Sequence, residues 1–101
     1  MVNPRILVWD KEALNNFKGI YDSLKTVNNL EYAKEFKTTI LKSVKSLLEN
    51  LDVFEQDRFK FDNDGRFRAF EKFKYRVAYK ITENQIRILR IRHTSREPID
   101  Y

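Results

Sequence analysis

Residues 66–101 read RFRAFEKFKYRVAYKITENQIRILRIRHTSREPIDY, and this stretch decides the fold. Apolar and polar side chains alternate with the period of two that a half-buried strand requires. Breaks fall at EKFK (71–74) and TENQ (82–85). In the run 75–81, Tyr75, Val77, Tyr79 and Ile81 share one face, while Arg76 and Lys80 flank a small Ala78 on the other. In the preceding run, Arg66, Arg68 and Phe70 alternate with Phe67 and Ala69. Three such strands predict an antiparallel meander with one apolar and one basic face. The last of them carries a phase shift: Ile86 and Ile88 fall on one face, Leu89 and Ile91 on the other. Either a bulge intervenes or the strand is central and covered on both sides, and the central position is the preferred reading.

The rest of the chain must cover the apolar face. Residues 5–9 (RILVW) predict a short strand, and Asp10 an N-cap that accepts from the amides of the following turn. From Lys11 to about Leu24, Ala13, Leu14, Phe17, Ile20, Tyr21 and Leu24 have helical spacing, with Gly19 weakening the helix by about 1 kcal/mol. A polar break at 26–29 places the next N-cap at Asn28 or Asn29. Ala33, Phe36, Ile40, Val44, Leu47 and Leu51 then mark a second helix of about 20 residues, with Leu41 and Leu48 widening the stripe and Lys34, Lys37, Lys42 and Lys45 facing water. The short connection makes the two helices an antiparallel hairpin. Within 52–64, Phe59 and Phe61 predict a strand over 58–61, joined to 66–70 through the turn chemistry of Asn63-Asp64-Gly65. The expected fold is α+β: a helix hairpin on one face of a mostly antiparallel four- or five-stranded sheet, a single domain over residues 1–101.

Composition narrows the chemistry. The chain holds eight phenylalanines, five tyrosines and one tryptophan within a 42% hydrophobic content, which argues against disorder. It has no cysteine, so disulfides, thiolate zinc sites and cysteine nucleophiles are excluded. No run approaches a membrane span of roughly 20 apolar residues, and no signal-peptide pattern opens the chain, so a cytoplasmic location without membrane contact is expected. The net charge of +5 favours a polyanionic partner. The excess falls on 66–96, where the acids are Glu71 and Glu83. One histidine and two glycines leave no transition-metal cluster and no phosphate-cradling loop, so neither metal nor cofactor is expected.

Three segments together, the LVWDKEAL entry, the KYRVAYKI strand and the terminal ILRIRHTSREP, give the chain a resemblance to the RelE/ParE superfamily, the toxins of bacterial type II toxin-antitoxin modules. The resemblance implies growth inhibition relieved by a cognate antitoxin protein. It also implies one of two activities: RelE-like members are metal-independent endoribonucleases that bind RNA and cut messenger RNA on the ribosome, whereas ParE-like members inhibit DNA gyrase without cleaving anything. The RelE-like activity is the first expectation and gyrase inhibition the alternative.

For cleavage through the 2′-hydroxyl, a base, an acid and a cation at the phosphorane-like transition state are needed. Arg76 matches the arginine of the family's tyrosine-arginine strand motif and is the candidate cation. Arg66 and Arg68 lie where RelE-like nucleases carry basic residues, typically lysines, and are expected to share a face with Arg76. An arginine does not readily give up its proton, so the base is left unassigned. His93 is a candidate acid or base, with a strand-end structural role as the alternative. Arg96 is a candidate phosphate ligand or, equally, a tie to the chain end through Glu97 or Asp100, and Tyr101 corresponds to a C-terminal tyrosine that stacks on a base in RelE-like enzymes, with a frayed end as the equal alternative.

Overall fold

The run 75–81 becomes β3 (Tyr75–Ile81), the strand on which the sheet is built. It pairs antiparallel on one side with β2 (Phe67–Lys72) and on the other with β4 (Gln85–His93). β1 (Ile6–Trp9) joins the far side of β4 in parallel, giving a four-stranded mixed sheet of order β1-β4-β3-β2. Helices α1 (Lys11–Val27) and α2 (Leu30–Ser46) cover one face. The computed structural model describes residues 5–49, 56–57 and 59–96, with Arg96 described through its backbone alone.

The core is the face predicted from alternation. Phe70, Val77, Tyr79, Ile86, Ile88 and Ile91 of the sheet pack against Ala13 and Leu24 of α1 and against Ala33, Phe36, Ile40 and Val44 of α2. An aromatic chain runs from Trp9 through Phe17 and Phe36 to Phe73 and Tyr75, with centroid spacings of 5.4–6.1 Å. The phase shift in β4 has a definite cause. Ile91 stands opposite Val77 but Ile88 opposite Tyr79, so a bulge returns all three isoleucines to the core. The Asn16 side-chain carbonyl accepts from the Ile91 amide at 3.0 Å and ties that irregularity to α1. β4 is also internal to the sheet, as preferred, but the helices cover only one face and Leu89 is half-buried, so the bulge accounts for the phase shift.

Several local expectations are corrected. Asp10 precedes α1 but makes no side-chain cap; its carboxylate pairs with Arg87, a stronger charge-assisted bond. Asn29, one of the two caps expected, does cap α2, accepting from the Tyr32 amide at 2.8 Å. α2 spans 17 residues and is shorter than predicted; Leu51 lies outside the described residues. Leu14, Leu41 and Leu48 are exposed on the flanks of the stripe. The strand expected over 58–61 is absent: residues 59–62 turn, Arg58 is outside the described residues, and the bridge to β2 comes from Gln56 opposite Arg68. Phe73 and Lys74 both have positive φ, 55° and 66°, and form the two-residue turn between β2 and β3. The strain of a bulky residue there is offset by the packing of Phe73 against Tyr32 and Phe36.

Candidate functional site

The register of the sheet distributes the basic residues. Residues directly opposite in an antiparallel pair share a face. Arg76 stands opposite Glu71 on β2 and Arg92 on β4, on the face turned away from the helices. Lys80 stands opposite Arg87, and Ala78 opposite Arg90, on that same face. Arg68 stands opposite Tyr79, a core residue, and therefore belongs to the helix-facing side. His93 stands opposite Tyr75, likewise on the helix side. The shared face expected for Arg66, Arg68 and Arg76 is not formed.

Arg76 is engaged by two carboxylates and an aromatic ring. One guanidinium nitrogen donates to the Asp57 carboxylate at 2.8 Å and another to Glu71 at 2.9 Å. The Phe59 ring lies 4.8 Å from the guanidinium carbon. Arg76 is 9% exposed and Asp57 2%. Burial alone opposes the charge on Arg76, but the hydrogen bonds and charges of Asp57 and then Glu71 outweigh it and hold the pKa above its ordinary value. The guanidinium is a permanent cation whose charge is already matched by two carboxylates.

The other predicted residues lie apart. Arg66 precedes β2, exposed, with its guanidinium 2.7 Å from Asp64. That partner raises the Arg66 pKa, and the Arg66 hydrogen bonds in turn lower that of Asp64. His93 Nδ1 lies 2.7 Å from Ser95 Oγ and accepts from the Ser95 amide at 3.1 Å, and the ring meets Tyr75 edge-on at 5.1 Å. With Asn15, Asn16, Gly19, Ile20 and Ser23 of α1 it lines a cleft of about 550 Å³ on the helix side of the sheet. The Arg96 side chain and Tyr101 lie outside the described residues. Among the described residues no group of His, Cys, Asp and Glu side chains is placed to hold a metal ion.

The partners of Arg76 are what sequence reasoning missed. Asp57 and Phe59 arrive from a loop; the alternation of Phe59 and Phe61 pointed to a strand instead, and nothing periodic marked Asp57. Glu71 carried a signal, because a two-residue turn at Phe73 and Lys74 sets Glu71 opposite Arg76.

Residues 7–98 match the family model described as the ParE toxin of the type II toxin-antitoxin system parDE. The chain belongs to the ParE toxin family. It is therefore the toxin of a type II toxin-antitoxin pair, within the RelE/ParE superfamily. No curated protein sequence matches it. Among solved structures, the chain resembles one described as the chromosomal ParDE TA system from P. aeruginosa. The identity is 21%, with 89% of this chain and 96% of that one covered and a TM-score of 0.70. It also resembles the YoeB dimer from Staphylococcus aureus, at 14% identity over 87% and 94% of the two chains, with a TM-score of 0.57. At these identities the likeness shows the fold, two helices packed on an open mixed sheet. No helix of this ParE-family chain, among the described residues, is long and apolar enough to cross a membrane.

Proposed function

We propose that this chain is a toxin that works by binding DNA gyrase, is neutralised by a cognate antitoxin protein, and does not cut messenger RNA. The observation that carries this reading is the state of Arg76. A transition-state cation must meet charge that develops on the substrate, in a site prepared for it. Arg76 instead spends its guanidinium on Asp57 and Glu71 beneath Phe59. A phosphate approaching it would have to displace a buried carboxylate, which costs about 3–5 kcal/mol when the pair is broken. Arg66 faces Asp64, and Arg68 and His93 lie on the other side of the sheet, so none of these three is placed to share an RNA phosphate with Arg76. The ParE family match and the ParDE neighbour agree with this choice between the two activities of the superfamily.

The test is a supercoiling assay with purified gyrase and relaxed plasmid. The toxin should stop supercoiling, and stoichiometric antitoxin, the product of the adjacent small gene, should restore it. Undiminished supercoiling at a large excess of folded toxin would overturn the gyrase reading.

A further inference from the structure

The loop that delivers Asp57 to Arg76 is held far more firmly than a connection needs to be. The Asp57 carboxylate accepts from the Phe59 amide at 3.0 Å, and its backbone carbonyl accepts from the Lys60 amide at 3.2 Å. The Asn63 amide nitrogen donates to the Asp57 and Phe67 carbonyls at 3.2 and 2.8 Å, while its oxygen accepts from the Gly65 amide at 2.8 Å. Lys60 Nζ donates to the Phe61 carbonyl at 3.0 Å and sits 4.7 Å from the centroid of the Phe67 ring. At the crest of this network Phe61 is 78% exposed. It is the one aromatic side chain among the exposed large hydrophobics of the described residues; the others are aliphatic.

Single exposed apolar residues are ordinary on protein surfaces. What distinguishes Phe61 is its setting. Hydrogen bonds of Asp57 and Asn63 hold the described backbone around it, which lowers the ordering entropy a partner must meet on binding. Interfaces are enriched in aromatic side chains, phenylalanine among them, and binding residues gather on loops held by a rigid scaffold. The loop's charge identifies the kind of partner. Between Gln56 and Arg66, Asp57, Asp62 and Asp64 balance Arg58, Lys60 and Arg66, so this segment has no net attraction for a phosphate backbone.

We infer that Phe61, presented by the loop that Asp57 clamps to Arg76, is the toxin's anchor in an apolar pocket of its protein target. The inference rests on the reading above, that the toxin acts by binding. The experiment compares Phe61→Ala and Phe61→Glu with Val27→Ala, a change at an equally exposed aliphatic residue beside the helix connection. Growth arrest and gyrase inhibition are measured for each, with thermal melting to establish folding. Both Phe61 variants should melt as the parent does and lose roughly tenfold or more in potency, while Val27→Ala keeps it. Folded Phe61 variants of parental potency would overturn the proposal. So would Phe61-dependent binding of a labelled single-stranded RNA or DNA of about 20 nucleotides, longer than the roughly 4–16 that a single-strand-binding fold covers, since it makes the ring a base-stacking platform. Arrest that requires Phe61 in a toxin that leaves gyrase untouched would keep the anchor and reject gyrase as the target.

Discussion

Arg76 and Asp57 meet at 2.8 Å across a sequence separation of 19, with the carboxylate side chain wholly buried and the guanidinium side chain 10% exposed. A charge pair taken this far from water is held by mutual satisfaction. Removing one member strands the other, and that is costly even where the pair itself contributes little net stability. Asp57→Ala should therefore cost about 3–5 kcal/mol. Glu71→Ala, at a carboxylate 47% exposed, should cost under about 1 kcal/mol. Urea unfolding of the two variants checks the ranking, and equal midpoints would show that the Asp57 pair is solvated.

The helix stripe sets a second expectation. Ile40 and Leu47 are fully buried, and truncating either to alanine should cost roughly 2–5 kcal/mol. Lys42 and Lys45 face solvent, and replacing them should cost under about 0.5 kcal/mol. Similar denaturation midpoints for all four variants would place the core on the wrong face of α2.

The two glycines should respond with opposite signs. Gly19 lies inside α1 with nothing within 4 Å of an added Cβ, so Gly19→Ala should stabilise by about 0.5–1 kcal/mol. Gly65 has φ of +98°, and the nearest atom to its Cβ would be Gln56 Nε2 at 3.6 Å, an ordinary contact. There the backbone, not crowding, sets the cost, and Gly65→Ala should destabilise by about 1 kcal/mol or more. Thermal melting of both variants reads the two signs directly.

The sheet and its apolar face were legible because alternation is a direct imprint of burial: Tyr75, Val77, Tyr79 and Ile81 needed no further information. The same rule, applied to β2, places Arg68 with Phe70, whose burial puts both on the helix side. The expected arginine face overlooked that parity. The bulge was visible as a phase shift between Ile88 and Ile91, although its anchor Asn16, 75 residues away, was not. Asp57 could not be found by any periodic argument, because it reaches Arg76 from a loop through a contact that exists only once β2 and β3 have paired. Charge counting suggested an open basic face, but the acids that match Arg76 and Arg87 become visible only in three dimensions.

Arg76 ties the Asp57 loop to the sheet, and under the proposed function the toxin acts without cutting RNA. The most direct measurement is primer extension on messenger RNA from translating ribosomes, at a toxin concentration that stops gyrase supercoiling. Wild-type toxin should produce no new 5′ ends, and folded Arg76→Lys should give the same lanes. Codon-spaced cleavage by the wild type that disappears in Arg76→Lys would overturn the gyrase reading and give Arg76 a catalytic role.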